Sequence, residues 1–146
     1  MSEYWDTSCV LKLYTTETDS ERALELMELS PKPIILSALV RAELVYVFLR
    51  KEGDGQIRPG GSGPLLERFE ADEASGKFRL VALGSEVLKR AEQVGRTCLR
   101  GERGILLRTL DGLHLATAVL CGCKTIVTTD ERMRAGAKKI GLKVVP

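Results

Sequence analysis

Short apolar segments alternate with longer segments of helical periodicity along this chain of 146 residues, and that alternation constrains the fold most strongly. The apolar segments 33–36, 78–83, 125–127 and 142–145 have the length and composition of buried strands. A shorter one, Tyr4-Trp5, directly precedes Asp6. Strands separated by helices favour βαβ units, so we predict an α/β fold with a parallel sheet covered by helices on both faces. In such folds the chemistry gathers beyond the carboxyl ends of the strands.

The intervening segments have apolar residues at helical spacing and small polar residues suited to capping. Ser8, Ser37 and Thr109 are expected to cap the helices that they precede or open. Helices are predicted over 8–14, from Asp19 or Ser20, over 37–53, over 65–74, from Ser85 or Glu86 to Val94, over 109–120 and over 131–139. The glycine- and proline-rich residues 51–64 are expected to form a surface loop within one domain, and the basic stretch 97–108 a loop with a short turn.

Four acidic residues fall where side chains from different segments can meet. Asp6 and Asp130 end apolar segments just before helices, Asp111 lies in the first turn of its helix, and Glu43 lies in the second turn of another. Capping alone accounts for Asp6 or Asp130 taken singly, less well for Asp111, and not for Glu43. Carboxylates that share a pocket repel one another. A cation with oxygen ligands resolves that repulsion, and Mg²⁺ or Mn²⁺ suits such ligands.

Three further side chains have candidate supporting roles. His114 lies one helical turn after Asp111, so both can share a face. A metal-ligand role for His114 is open, but we favour a hydrogen bond to a carboxylate or a backbone carbonyl. Ser8 and Thr128 lie two residues from Asp6 and Asp130. Their hydroxyls either orient these carboxylates and bind water, or simply cap helices and end strands.

Composition excludes some classes of protein. The net charge of +2 is not the strong basic excess of a protein that coats nucleic acid, although a local basic face remains compatible with it. The N-terminus has no signal-peptide pattern, and no apolar run approaches the roughly 18 residues of a membrane span. We therefore expect a cytoplasmic protein without membrane association and with reduced cysteines. The Cys121-Gly-Cys123 pair lacks the spacing of a zinc site and is interpreted as packing at a helix end.

Four stretches in order resemble the motifs of the PIN-domain nucleases, in particular the small bacterial and archaeal VapC toxins. WDTSCVLKLY resembles the opening motif, in which an apolar strand ends in Asp-Thr/Ser-Ser. SALVRAELVYVFLRK is similar to the second motif, a helix with one inward Glu. TLDGLHLATAVLCG resembles the third, and TIVTTDERMRAGAKKIGLKVV the C-terminal stretch with Thr-x-Asp and a basic helix.

This resemblance implies a single PIN-like domain over residues 1–146, with a five-stranded, doubly wound parallel sheet and an acidic pocket that binds Mg²⁺ or Mn²⁺. The implied activity is that of an endoribonuclease, the toxin of a toxin–antitoxin pair. Carried over by position, the four acids are Asp6, Glu43, Asp111 and Asp130, with Asp6 and Asp111 as the principal metal ligands. Ser8 and Thr128 occupy the hydroxyl positions of the motifs. The implied partners are RNA, a cognate antitoxin and a second copy of the chain.

Several basic residues are candidates to contact RNA phosphates, although ordinary solvated surface explains any one of them. They are Lys12, Arg41, Arg50, Arg100, Arg103, Arg132 and Arg134. The helix of the second motif has more apolar faces than one core contact needs, because it carries Tyr46, Val47 and Leu49. These additional faces weakly support a homodimer.

Two other functions are compatible with parts of the sequence. A non-catalytic PIN-like module that binds RNA or a protein would not need all four acids, but acids alone do not prove turnover. A phosphoacceptor or phosphotransfer domain fits poorly, because a dehalogenase-like phosphatase needs Asp-x-Asp after its first strand and Ser8 stands at the third position here.

Overall fold

The computed structural model describes residues 1–101 and 104–146. Its strands form one parallel five-stranded sheet of order β3-β2-β1-β4-β5. The strands are β1 (Glu3–Trp5), β2 (Ile34–Ser37), β3 (Phe78–Val81), β4 (Thr125–Val127) and β5 (Lys143–Val145). The predicted five-stranded parallel sheet is therefore confirmed.

Helices separate the strands and cover the sheet. They are α1 (Thr7–Leu11), α2 (Ser20–Leu29), α3 (Leu39–Gly53), α4 (Ser62–Ala74), α5 (Ser85–Leu99), α6 (Thr109–Leu120) and α7 (Glu131–Lys139). Among the described residues, no helix is both long enough and apolar enough to cross a membrane.

The last two residues of β1 show that both faces of the sheet are covered. Adjacent side chains of a strand point to opposite faces. Trp5 packs in one core cluster with Val10 and Phe48, while Tyr4 packs in another with Leu115. Tyr4 and Trp5 are both fully buried. A three-residue strand is therefore buried between two helical layers, and this explains why β1 reads as an apolar stub rather than as an alternating strand.

The strand order identifies the place where a site is expected. From β1 the chain moves outward through β2 and β3, and it then crosses to the opposite side of β1 to form β4 and β5. Connections that diverge from one strand leave a crevice at its carboxyl end, where α/β proteins bind ligands. Asp6 follows β1 at this point, and its backbone N–H donates to the Val127 carbonyl of β4 at 3.2 Å.

Three predicted boundaries were wrong. Helix α1 begins at Thr7 with Asp6 as its cap, not Ser8, and it ends at Leu11 rather than Tyr14. The loop predicted over 51–64 is shorter. Helix α3 ends at Gly53, as the helix prediction had it, and α4 begins at Ser62 rather than at residue 65. The stretch predicted as a loop from residue 97 begins inside α5, which continues to Leu99 because Cys98 extends its buried stripe while the basic residues face water.

Candidate active site

Asp6 is a buried carboxylate at the carboxyl end of β1, the switch point where the connections of the sheet diverge, and only 3% of the residue is exposed. Its Oδ1 accepts hydrogen bonds from the Ser8 hydroxyl at 2.6 Å and the Cys9 backbone N–H at 3.3 Å. Its Oδ2 accepts from the Thr128 hydroxyl at 2.5 Å. Burial raises the pKa of Asp6 above its ordinary value, although the hydrogen bonds from these donors act in the opposite direction. The carboxylate therefore occupies a position where a positive charge is favourable.

The hydroxyls of Ser8 and Thr128 both orient Asp6. Thr128 is fully buried, and its oxygen also accepts the backbone N–H of Asp130 at 3.1 Å. The Thr128 hydroxyl therefore bonds both the Asp6 carboxylate and the backbone of Asp130. Two roles were considered for these hydroxyls, and the contacts agree with the first, in which the hydroxyls orient a carboxylate.

Glu43 projects from the second turn of α3 and accepts two hydrogen bonds on one oxygen. The Thr7 hydroxyl donates to Oε1 at 3.0 Å, and Nε2 of His114 lies 2.6 Å from the same atom. Burial opposes ionisation of Glu43, but the bonds from His114 and Thr7 outweigh it and hold the pKa of this carboxyl below its ordinary value. The favoured interpretation of His114, a hydrogen bond to a carboxylate, agrees with this contact.

Asp111 and Asp130 face a common cleft of about 220 Å³ at the N-terminal ends of α6 and α7. The cleft is completed by Arg108, Glu131 and Arg132. Oδ2 of Asp111 accepts the Arg108 backbone N–H at 3.0 Å, so Asp111 itself caps α6. The expectation that Thr109 would serve as the cap was wrong, because Thr109 is already the first helical residue.

Asp130 also has a capping role, since its Oδ1 accepts the Met133 backbone N–H at 2.9 Å. One oxygen of Asp111 and one of Asp130 are therefore engaged at helix N-termini, where the helix dipole favours negative charge. Capping and ligand binding are compatible for a carboxylate, because each oxygen has two lone pairs.

Asp111 and Asp130 share one cleft, whereas Asp6 and Glu43 are each held by hydrogen bonds to other residues. Among residues 1–101 and 104–146, no group of three or more His, Cys, Asp or Glu side chains is placed to hold a metal ion. Mg²⁺ keeps several waters and is usually bound by one or two carboxylates. The buried Asp6, whose donors are two hydroxyls and one backbone N–H, and the paired acids of the cleft fit a hydrated divalent cation of this kind.

The basic residues proposed to contact RNA have different surroundings. Lys12 is 9% exposed, and its Nζ donates to the Thr129 hydroxyl at 2.6 Å and pairs with Asp19 at 2.9 Å, so its charge is already paired within the fold. Arg134 donates to the Thr128 carbonyl at 2.9 Å, and Arg41 pairs with Glu70.

The other basic candidates lie on different parts of the surface. Arg132 lines the acidic cleft, Arg50 lines an apolar groove, and Arg100 is exposed after α5. Arg103 lies outside the described residues.

The cysteines agree with the packing interpretation. Cys121 follows the last turn of α6, and Cys123 is buried in the core beneath it. Burial raises the pKa of the Cys123 thiol to about 11, which keeps it protonated and unreactive at neutral pH.

Sequence reasoning missed four residues that the structure joins to the site. Tyr4 contacts His114, Thr7 contacts Glu43, Thr129 donates its backbone N–H to the Ser8 hydroxyl, and Arg108 lines the cleft of Asp111. Thr7 and Thr129 adjoin acids and could have been found as hydroxyls in polar clusters. Tyr4 gave no signal beyond its apolar strand, because its role depends on a contact with a residue 110 positions away.

Comparisons with known proteins agree with this fold. The family model of the PIN domain matches residues 4–139. Ribonuclease VapC46 of Mycobacterium tuberculosis is 32% identical over 147 residues, which span 97% of this chain and 95% of that protein.

Two solved structures share the fold over nearly the whole chain. VapC20 of M. tuberculosis, a toxin that cleaves the sarcin-ricin loop, has a TM-score of 0.69 at 17% identity and covers 99% of both chains. The VapBC2 complex of Rickettsia felis, bound to a DNA fragment from its promoter, has a TM-score of 0.68 at 18% identity over 99% of this chain and 98% of the other. The chain therefore belongs to the PIN-domain family, and within it to the VapC proteins.

Proposed function

We propose that this protein is a cytoplasmic endoribonuclease that depends on Mg²⁺ or Mn²⁺ and acts as the toxin of a VapBC-type pair. The observation that carries the proposal is Asp6, a carboxylate buried at the switch point with uncharged donors on both oxygens. Burying such a charge costs free energy, and a fold tolerates that cost where a cation offsets it. The similarity to ribonuclease VapC46 over almost the entire chain supports the same reaction class.

The chain offers four carboxylates to such a cation. Asp6 and Asp111 are the proposed principal ligands, Glu43 assists, and Asp130 holds a second ion or orients the attacking water. Bound by these residues, a divalent cation would lower the pKa of water and would offset the negative charge that develops on a phosphodiester during in-line displacement.

The chain's own residues prepare this site. Ser8 and Thr128 fix both oxygens of Asp6, so that its orientation does not need to change when ligands bind. The link from Thr128 to the backbone of Asp130 sets the start of α7 relative to Asp6. Preorganised acids of this kind reduce the cost of reorganisation during the reaction.

Two arginines are proposed to bind RNA phosphates beside the acids. Arg108 and Arg132 are exposed and border the cleft that contains Asp111, Asp130 and Glu131. Three carboxylates and two guanidiniums leave this cleft with one net negative charge. One divalent cation and one phosphodiester group together bring it to neutrality, so the charge of the cleft suits a cation and an RNA backbone bound together.

The proposed partners are a cognate antitoxin and a second copy of the chain. An apolar groove of about 460 Å³ lies along α3 beside Glu43 and Leu110. On the same helix Tyr46 is 72% and Leu49 is 54% exposed, which is unusual for side chains of this size. Light scattering of the purified protein should give twice the mass of one chain. Co-purification of a small protein that inhibits cleavage would support the antitoxin.

The proposal is tested by incubating the purified protein with a structured RNA in Mg²⁺, in Mn²⁺ or in excess EDTA. Discrete cleavage with either cation and none in EDTA is the expected result. Equal cleavage in EDTA would contradict the metal dependence. An intact RNA under all three conditions, together with no Mn²⁺ binding by calorimetry, would favour a non-catalytic binding module.

A further inference from the structure

A line of hydrogen bonds connects β1 to Glu43 through the single histidine of the chain. The Tyr4 hydroxyl of β1 lies 2.5 Å from Nδ1 of His114 on α6. On the other side of the ring, Nε2 lies 2.6 Å from Oε1 of Glu43 on α3. Tyr4 is fully buried and His114 is 2% exposed, so water does not compete for these bonds. The line joins the central strand to two helices that lie far apart in the sequence.

For a neutral imidazole, the hydrogen-bond partners of the ring favour one of its two tautomers. The Ser37 backbone N–H donates to the Tyr4 oxygen at 3.3 Å, so the tyrosine's own proton is available for Nδ1. Nδ1 then accepts, and the ring proton resides on Nε2, from which it donates to Glu43. The opposite tautomer would place an unprotonated Nε2 against a carboxylate oxygen, with no proton between two acceptors only 2.6 Å apart.

The same line leaves one oxygen of Glu43 available. His114 and Thr7 both donate to Oε1. Within the described ranges 1–101 and 104–146 no donor bonds Oε2, and 28% of the Glu43 side chain is exposed. One oxygen is therefore anchored while the other is free for an external ligand. A carboxylate held by one oxygen in this way loses little further rotational freedom when it binds a cation.

We propose that His114 is a positioning residue that presents Oε2 of Glu43 to the divalent cation, and that Tyr4 fixes the tautomer it needs for this role. This inference rests on the proposed function, since it assigns the geometry of one of the proposed ligands. His114 does not touch the cation or the RNA; it acts through Glu43.

A structural role and a positioning role for His114 predict different effects of His114→Gln and His114→Leu on the affinity for Mn²⁺. His114→Gln keeps an N–H donor near the Nε2 position, whereas His114→Leu fills a similar volume without a donor. If His114 positions Glu43, Leu lowers Mn²⁺ affinity by roughly 10- to 100-fold in calorimetry, and Gln lowers it less. If His114 only fills the core, the apolar Leu is tolerated at least as well as Gln, and Mn²⁺ affinity does not distinguish them.

The role of Tyr4 is tested by Tyr4→Phe with Tyr14→Phe as a matched control. Tyr14 is also a buried tyrosine, and its hydroxyl donates to a carboxylate, Asp72, at 2.6 Å, but away from the site. Both changes remove one hydroxyl from a buried hydrogen bond. Only Tyr4→Phe should weaken Mn²⁺ binding, and by less than His114→Leu, because the contact of His114 with Glu43 remains.

Nuclear magnetic resonance observes the tautomer directly. In protein labelled with ¹⁵N at histidine, two-bond proton–nitrogen correlations come from one ring, since the chain has one histidine. The wild type and Tyr14→Phe should show a protonated Nε2 and an unprotonated Nδ1. Tyr4→Phe should show a mixture of the two tautomers.

The outcomes separate this inference from the proposed function. A wild-type ring protonated on Nδ1 alone, or equal Mn²⁺ affinity in His114→Leu, His114→Gln and the wild type, would overturn the positioning role while RNA cleavage stands. A wild type that neither binds Mn²⁺ nor cleaves RNA would overturn the proposed function and the positioning role together.

Discussion

Replacing Asp6 by Asn should change the pH dependence of stability in a direction set by burial. Asp6 is 3% exposed and accepts three hydrogen bonds, yet burial still raises its pKa. A carboxyl whose pKa is higher in the folded state contributes stability below the unfolded value near about 3.9. That contribution is lost as the pH rises through the folded pKa. The metal-free wild type therefore bears the cost of a buried charge at neutral pH, and Asp6→Asn does not.

The size of the effect follows from the contacts of Asp6. In Asp6→Asn the amide oxygen can keep the bonds from Ser8 and the Cys9 backbone, while the bond from Thr128 is lost or reversed, at about 1 kcal/mol. Within the window between about pH 3.9 and the folded pKa, the wild type loses about 1.4 kcal/mol per pH unit relative to the variant. One unit of this window would offset the lost bond, so the stability of the variant relative to the wild type should increase as the pH rises above about 3.9.

Urea unfolding from pH 4 to 8 in EDTA measures this difference, with Asp72→Asn as a control. The Asp72 carboxyl is also opposed by burial, but its bonds from Lys77 and Tyr14 outweigh that effect and lower its pKa, so its window lies below about pH 3.9. Only Asp6→Asn should gain stability relative to the wild type as the pH rises. A constant difference across this range, or one that turns against the variant with rising pH, would refute the role assigned to burial. Saturating Mn²⁺ should reverse the order, since a ligand at 100 times its Kd stabilises the protein that binds it by about 2.7 kcal/mol.

Two further predictions concern the cleft and the packing of α7. Arg108→Gln and Arg132→Gln should each weaken binding of a cleavage-resistant single-stranded RNA in Mn²⁺ and lower the slope of log affinity against log salt by about 0.7. Fluorescence anisotropy measures both quantities, with the exposed Arg96→Gln as a control. Slopes equal to that of the control would count against phosphate contacts. Gly136→Ala should destabilise the protein by about 1–3 kcal/mol in urea unfolding, because its Cβ would lie 3.0 Å from the methyl groups of two leucines. Gly95→Ala has room for its Cβ and should stabilise the protein by up to about 1 kcal/mol. A stabilised Gly136→Ala would show that these leucines move freely.

The fold could be predicted to a large extent because its signals are local. Apolar runs such as 125–127 and the helical periodicity of 109–120 identify strands and helices without knowledge of their partners. The errors occurred where two local interpretations compete. Asp6 and Ser8 are both good caps, and only the folded chain shows that the carboxylate accepts the Cys9 N–H while Ser8 donates to that carboxylate. The basic end of α5 resembles a loop until Cys98 is seen to be buried.

The site could be predicted in part. Asp6, Asp111 and Asp130 were found because they end strands or begin helices, so their placement follows from the order of elements. Glu43 was found because capping does not account for an acid in the second turn of a helix. The contact of His114 with Glu43 spans 71 positions, and that of Tyr4 with His114 spans 110. Such contacts depend on how α3 and α6 pack against β1, and no periodicity in the sequence encodes that packing. The capping role of Asp111 was ranked below that of Thr109 for a related reason, since only the folded chain shows that Thr109 is already helical and that the Asp111 carboxylate accepts the Arg108 backbone N–H.

The most direct test of the proposed site is the single-turnover cleavage rate of a structured RNA by Asp6→Asn and Asp111→Asn in saturating Mg²⁺ or Mn²⁺. Both variants should remain folded by circular dichroism and should lose cleavage by roughly 100-fold or more, as expected when a ligand of a catalytic cation is removed. Cleavage by either variant at the wild-type rate would contradict the assignment of its carboxylate to the cation.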